Sequence, residues 1–143
     1  MDWVHALATV ALGLYAGSLL MEGALLVPFW RSLSSDEFFG RHVEVGPRLF
    51  RYFFPLTNAA VWLSVVSAAL DGLASGTRNA AALLCVFALT TFFLYFKRAN
   101  ASFADGSLDG SSLPFELARW AAWHWVRTVA TLLAFALAVV AWM

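Results

Sequence analysis

Four apolar stretches, each long enough to cross a lipid bilayer, constrain this chain more than any other feature of its sequence. They cover about 3–28, 55–73, 79–96 and 113–142 and are called spans 1 to 4. A helix needs about 20 mostly apolar residues to cross the hydrocarbon layer, and its backbone amides must be satisfied within the segment. The sequence therefore predicts an all-α protein with a single membrane domain over residues 1–143, a four-helix transmembrane bundle.

The overall composition agrees with a protein whose main partner is the lipid bilayer. Hydrophobic residues make up 62% of the chain and charged residues 13%, whereas soluble domains carry about 25% charged residues. Nine basic residues balance nine acidic ones, and this zero net charge argues against a nucleic-acid partner, which requires a basic surface. The N-terminal apolar run is too long for a signal peptide and has no basic segment before it, so we expect span 1 to be retained.

The distribution of basic residues predicts the orientation of the bundle. Alternating spans place both termini on one side and the two longer connections, 29–54 and 97–112, on the other. Arg78 lies on the side of the termini. Seven basic residues lie in or beside the longer connections: Arg31, Arg41, Arg48, Arg51, Lys97, Arg98 and Arg119. This bias predicts that the longer connections are cytoplasmic, and we expect a bacterial inner-membrane protein with both termini outside the cytoplasm.

The connection between spans 1 and 2 carries its own helix signals. Ser34 and Ser35 precede two acids, a pattern typical of a helix start with hydroxyl caps. The segment Arg48–Phe54 mixes arginines with aromatic residues. We therefore expect a short interfacial helix between spans 1 and 2 that continues helically into span 2. The connection after span 3 is expected to be a polar loop over 101–112.

Ionisable residues at membrane depth are the strongest functional signal. Such a residue costs about 2.5–3.5 kcal/mol on insertion scales, so a chain keeps it where it is paired, hydrated or functional. His124 and Arg127 lie three residues apart in span 4, and counting helical rise puts Glu22 of span 1 in the same layer. Arg127 stays charged, and Glu22 is the one acid well inside a span. We predict that Glu22 and Arg127 interact directly, through His124 or through water.

Polar and aromatic residues recur on one face of each span. Trp120, His124 and Arg127 share a face of span 4 at helical spacing. The corresponding candidates of spans 2 and 3 are Asn58, Trp62, Tyr95 and Asn100. We expect these stripes to close around a pocket in the cytoplasmic half of the bundle.

The candidate pocket allows two interpretations of its charged residues. In the first, Glu22 and Arg127 only lock span 1 to span 4. In the second, they line the pocket, and His124 can accept or donate a proton near neutral pH. Trp123 and Trp125 are out of phase with His124 and are expected to face lipid or neighbouring helices.

Metal and haem sites are weaker alternatives. His5, His42 and His124 fall in different parts of the chain, so a bis-histidine haem is not expected. A haem with a single ligand, or a non-haem iron on His124 and Glu22, stays open as an alternative. The single cysteine, Cys85, allows neither an intrachain disulfide nor a cysteine-based metal site. We expect no metal and no cofactor.

Four spans, an asparagine after span 3 (Asn100) and the pattern Trp-x-x-x-His-x-x-Arg (Trp120, His124, Arg127) resemble the DUF1772, or anthrone oxygenase-like, membrane family. The resemblance covers the architecture of the whole chain, and its motif residues lie between Asn100 and Arg127. It implies a monooxygenase, an oxidoreductase that converts anthrones to anthraquinones with O₂ as co-substrate and without a cofactor.

The residues of the chain permit that chemistry, which needs a base, a donor to the developing oxyanion and an aromatic slot. His124 would be the base, and Arg127 and Asn100 would stabilise the oxyanion. The residues that would stack on a flat substrate are Trp62, Tyr95 and Trp120.

Three classes of function follow from the sequence. The first is a membrane protein with an intramembrane pocket for a flat aromatic or quinone-like molecule, which it oxidises with O₂. The second is a non-enzymatic lipid-binding, quinone-binding or accessory membrane subunit. The third is a small transporter, which would require a homo-oligomer because four spans are few for a transport path.

Overall fold

The structure of the protein, a computed structural model, describes residues 2–72 and 74–143. Within these ranges the chain forms helices and turns and no strand. Four helical segments are long and apolar enough to cross a membrane: Asp2–Ser32, Ser35–Asp71, Gly76–Ala104 and Gly110–Val140. The predicted four-helix membrane bundle is confirmed. The predicted end of span 2 at Leu73 lies outside the described residues.

Spans 1, 3 and 4 are each built from more than one helical element. Span 1 contains α1 (Asp2–Met21), a π-helical turn (Glu22–Leu26) and α2 (Val27–Ser32). Span 2 is the single helix α3 (Ser35–Asp71). Span 3 contains α4 (Gly76–Thr91), a second π-helical turn (Phe92–Phe96) and α5 (Lys97–Ala104). Span 4 contains a 3₁₀ turn (Gly110–Ser112) and α6 (Leu113–Val140).

The four spans form a closed ring. Each span packs against the next one in sequence, and span 4 packs against span 1. One end of the ring holds the chain termini and the turn after span 2, and we call it the terminal end. Gly72 closes span 2 there with a φ of +60°, a conformation that glycine adopts without steric cost. The opposite end holds the two longer connections and most arginines, and we call it the basic end.

The bundle is longer than a hydrocarbon layer is thick. Spans of 29 to 37 residues measure roughly 45–55 Å at 1.5 Å per residue, against about 30 Å of hydrocarbon. Trp3 and Trp142 lie at the terminal end, where tryptophan is typical of a membrane boundary. The surplus length therefore lies at the basic end, where exposed arginines alternate with acids.

Helix α3 starts where the sequence predicts a helix. Ser34 and Glu37 form a capping box, in which the Ser34 backbone N–H donates to Glu37 Oε2 at 3.0 Å. The structure differs beyond that point, because the expected short interfacial helix is the first part of one helix that continues to Asp71 through Pro47 and Pro55.

Packing explains why the helix is continuous. Phe38, Val45 and Leu49 recur at helical spacing and pack against the same aromatic cluster at the basic end. This apolar stripe carries α3 through Pro47, and membrane helices tolerate a proline when neighbouring helices support it. Span 1 likewise continues past Pro28 to Ser32, and the polar loop expected from 101 begins only after Ala104.

The core consists of two clusters that differ in residue size. The cluster of the basic half is rich in large aromatic side chains, among them Trp30, Phe38, Phe96, Phe103 and Trp120. The cluster of the terminal half is built mainly from small and aliphatic side chains, among them Leu12, Ala60, Val61, Cys85 and Ala134. Glu22, His124 and Arg127 lie along the chain between the members of the two clusters. They therefore sit at the boundary between the aromatic part and the aliphatic part of the core.

Candidate functional site

The predicted contact between Glu22 and Arg127 is present and links span 1 to span 4. Arg127 Nη2 donates to Glu22 Oε2 at 3.2 Å. The side chain of Glu22 is 5% exposed and that of Arg127 is 13% exposed. A buried charge requires such a partner, because an uncompensated one in the core is strongly destabilising.

His124 is the third member of this group and is 0% exposed. Its Nε2 lies 2.9 Å from the carbonyl oxygen of Leu19. Since a carbonyl oxygen only accepts, Nε2 carries the hydrogen, and Nδ1 accepts from Arg127 Nη2 at 2.9 Å. The network therefore fixes His124 as the neutral Nε2–H tautomer. We call Glu22, His124 and Arg127 the buried cluster.

Aromatic rings surround the guanidinium of Arg127. Its Cζ lies 4.0 Å from the ring centroid of Phe96 and 5.7 Å from that of Trp120. The Trp120 ring is stacked on His124, with centroids 5.1 Å apart and planes within 7°. Cation–π attraction is strongest where the cation is desolvated, so the rings stabilise Arg127 in place. Its Nε is buried and has no hydrogen-bond partner among the described residues.

Two π-helical turns meet at the buried cluster. Glu22 begins the first, in which the Val27 N–H donates to the Glu22 carbonyl, and Phe96 ends the second. Both Glu22 and Phe96 contact Arg127. A π-helical turn inserts one extra residue into a helix and redirects its side chains, and such turns occur frequently at functional sites. Neither turn was predicted from the sequence.

Asn100 and Trp120, two predicted site residues, join the buried cluster. Trp120 Nε1 donates to Asn100 Oδ1 at 2.9 Å, which ties the end of span 3 to span 4. Trp120 stacks in turn on His124. Five of the eight predicted site residues are thus in one connected network: Glu22, Asn100, Trp120, His124 and Arg127.

Tyr95 is buried beside this network but belongs to another set of contacts. Its hydroxyl donates to Glu116 Oε1 at 2.6 Å. Its ring stacks on Trp123 at 5.6 Å, and the Arg119 guanidinium lies over it at 5.0 Å. Tyr95 therefore joins spans 3 and 4 on a face separate from Arg127, and Trp123 packs against a neighbouring helix as expected.

Asn58 and Trp62 do not reach the buried cluster. Trp62 is 60% exposed on the outside of the bundle, and Asn58 Nδ2 donates to the Phe54 carbonyl of its own helix at 2.7 Å. The opposite face of span 2 enters the core with the small residues Ala60 and Ser64. The predicted inward face of span 2 is therefore its outer face. Small residues let helices approach closely, whereas a tryptophan is accommodated in lipid.

A groove of about 490 Å³ runs along the outer seam between spans 1 and 4. Its volume falls within the range of about 300–1,000 Å³ that is typical of small-molecule sites. The sequence predicted a pocket inside the bundle, whereas this groove opens sideways toward lipid. Its walls are Gly23, Val27, Pro28, Arg31, Ala118, Ala121, Ala122 and Trp125.

Gly23 lines the groove beside the His124 ring, and Trp125, another of its walls, packs edge-on against that ring with centroids 6.4 Å apart. A Cβ at Gly23 would lie 3.1 Å from His124 Nε2 and 3.2 Å from Trp125 Cζ2. These distances are shorter than ordinary van der Waals contacts. The absence of a side chain at Gly23 thus lets span 1 pack closely against His124 and Trp125 of span 4.

Gly23→Ala is expected to lower the free energy of unfolding by about 1–3 kcal/mol, the usual effect of overpacking. The added methyl group pushes His124 away from the Leu19 carbonyl. Thermal unfolding in detergent measures the change. Gly17→Ala is the matched control, because its Cβ would meet nothing within 4 Å, and helix propensity predicts a gain of about 0.5–1 kcal/mol there. Equal effects of the two substitutions would contradict the close approach at Gly23.

A second polar cluster lies at the terminal end and has the character of a structural clamp. His5 Nδ1 lies 2.7 Å from Ser67 Oγ, and His5 Nε2 lies 3.5 Å from Asp71 Oδ1. Asp71 also pairs with Arg78, whose Nη2 donates to the Ala141 carbonyl at 3.1 Å. These contacts join all four spans. Within the described parts of the chain, no three His, Cys, Asp or Glu side chains are grouped as a metal site.

Comparisons with known proteins find no match to this chain. No family model matches the chain, and neither a curated protein nor a solved structure matches it. The similarity of the Asn100, Trp120, His124 and Arg127 pattern to the anthrone oxygenase-like family stays a prediction.

Proposed function

We propose that this integral membrane protein binds a flat apolar aromatic or quinone-like molecule in the groove between spans 1 and 4. The buried cluster would act as the polar partner of the ligand's oxygen atoms. The observation that carries the proposal is the convergence of two π-helical turns on Arg127, next to a groove of ligand size. Gly23 lines the groove, and a Cβ at this position would lie 3.1 Å from His124 Nε2.

The hydrogen-bond capacity of Arg127 favours ligand binding over a purely structural contact between spans 1 and 4. A guanidinium has five N–H donors, and the contacts to Glu22 and His124 both use Nη2. The buried Nε–H has no partner among the described residues. A carbonyl or phenolate oxygen is the acceptor that such a donor lacks, and a buried donor left unpaired is unfavourable by about 1–3 kcal/mol.

A binding experiment tests this proposal. Purified protein in nanodiscs is titrated with 2-methylanthraquinone, and quenching of tryptophan fluorescence gives the dissociation constant. We expect saturable binding that weakens at least about tenfold in His124→Ala, since a lost hydrogen-bond network is worth about 1.4 kcal/mol or more. His5→Ala, the same substitution at the terminal-end clamp, should bind normally. Ala122→Leu fills the groove from an exposed position and should also abolish binding while the protein stays folded.

Oxidation of an anthrone is a second candidate function, favoured by the unprotonated Nδ1 of His124. If Arg127 shifted toward a developing oxyanion, Nδ1 would be free to accept a proton from the anthrone CH₂. The carbanion would then reduce O₂. One oxygen atom would become the carbonyl oxygen on the former CH₂ carbon, and the other would leave as water. Anthrone and O₂ would thus give anthraquinone and H₂O.

The rate of anthraquinone formation in membranes supplied with anthrone and O₂ tests this activity. Wild type should exceed the spontaneous rate, and His124→Ala should fall to it, with His5→Ala as control. Equal rates in wild type and His124→Ala would remove the oxygenase activity for that substrate. Saturable binding in the same membranes would leave a non-enzymatic quinone-binding or accessory protein.

The orientation proposed with this function puts the basic end in the cytoplasm of a bacterial cell. Seven basic residues in or beside the longer connections support it. Reporter fusions at Met143 should then be active outside the cytoplasm. Cytoplasmic reporter activity at Met143 would invert the topology.

A further inference from the structure

One cationic side chain, Arg31, lines a groove whose other walls are glycine, alanine, valine, proline and tryptophan. Arg31 is exposed and forms no ion pair with the described residues. By contrast, Arg48 pairs with Glu44 on the surface of the same end. The groove thus offers a long apolar surface with one unneutralised positive charge.

Arg31 and Gly23 mark the two ends of the groove along span 1. Gly23, which touches His124, and Arg31 are eight residues apart in span 1, or roughly 12 Å along a helix. Gly23, Ala118 and Ala122 give the groove small side chains, and the Trp125 indole gives it an aromatic wall. The small side chains leave space beside the Trp125 indole, on which a flat ring system can stack.

We infer that the ligand of the groove is an aromatic acid: a flat fused-ring molecule with one carboxylate, which Arg31 binds at the basic end. This inference rests on the proposed function and adds the chemical class of the ligand. An arginine fork matches a carboxylate with two parallel hydrogen bonds. The rings lie along the small residues between Gly23 and Ala122, and the ring oxygen points toward the buried cluster.

Two probes with the same rings test the inference, anthraquinone-2-carboxylate and the uncharged 2-methylanthraquinone. Both are titrated into protein in phosphatidylcholine nanodiscs. Wild type should bind the carboxylate about threefold to fivefold more tightly, the upper range expected for an exposed ion pair. Arg31→Gln should remove this preference, so that the two probes bind with equal affinity. Arg31→Lys should keep part of the preference, and Arg48→Gln should keep all of it.

The outcomes distinguish a wrong ligand class from a wrong binding function. Equal, saturable affinities of the two probes in wild type would overturn the aromatic acid and leave the proposed function standing. Absence of saturable binding of either probe would overturn both. If phosphatidylglycerol in the nanodisc displaces the carboxylate and Arg31→Gln abolishes this competition, the occupant is an anionic phospholipid headgroup and the aromatic acid is overturned.

Discussion

Glu22→Gln is expected to lower the free energy of unfolding by about 3–5 kcal/mol, because it leaves the charge of Arg127 uncompensated in the core. Glu22 Oε2 is the carboxylate oxygen that Arg127 Nη2 contacts, and both side chains are largely buried. Unfolding in detergent, followed by loss of helical circular dichroism, measures the change.

Two comparisons make this prediction specific. Glu44→Gln removes the exposed pair between Glu44 and Arg48 and should change stability by no more than about 0.5 kcal/mol. The double variant Glu22→Leu with Arg127→Leu should be less destabilised than Arg127→Leu alone, since neither charge then remains buried. Additive effects of the two substitutions would show that Glu22 and Arg127 are not coupled.

Phe38→Ala is expected to lower the free energy of unfolding by about 3–5 kcal/mol, the usual loss for a fully buried phenylalanine. Phe38 is 1% exposed and packs edge-on against Trp30 and Phe103, with ring centroids 5.4 and 5.2 Å away. The first part of α3 is therefore bound to spans 1 and 3 through this ring. Thermal unfolding in detergent reports the loss.

Phe50→Ala is the matched control on the same helix, because Phe50 is more than half exposed. We expect a change within about 0.5 kcal/mol there, as for other surface positions. If Phe38→Ala proves as harmless as Phe50→Ala, the first part of α3 is a separate helix lying on the membrane and does not pack on the bundle.

The charged part of the site could be predicted from the sequence because a buried charge requires a counter-charge and few residues can supply it. Arg127 requires a counter-charge, and Glu22 is the one acid of the chain well inside a span. Helical spacing then put Trp120, His124 and Arg127 on one face, and the structure stacks Trp120 on His124. Pairing and periodicity were sufficient for these residues.

Hydropathy could not determine which face of span 2 enters the core. Lipid and core are both apolar, so Trp62 satisfies the same pattern outside the bundle as inside it. Ala60, Ser64 and Ala68 take the core positions, because close helix packing in membranes favours small side chains. The number of spans followed from composition, whereas the direction of each side chain followed from packing.

The two π-helical turns were also beyond the sequence analysis, although one left a signal. Pro28 lies two residues after the first turn and has no N–H to donate, so it disturbs the regular ladder there. Nothing comparable marks Phe92–Phe96. The position of the groove depends on the first of these turns and on Gly23, and it could be found only from the packed helices.

Photolabelling most directly tests the claim that the groove beside the buried cluster is the binding site. A diazirine derivative of 2-methylanthraquinone is irradiated with the protein in nanodiscs, and mass spectrometry locates the labelled peptides. If the groove is the binding site, we expect saturable labelling within 23–31 and 118–125 that unlabelled 2-methylanthraquinone competes away and that Ala122→Leu abolishes. Labelling at the terminal end around His5, or unsaturable labelling spread along the lipid-facing residues, would contradict it.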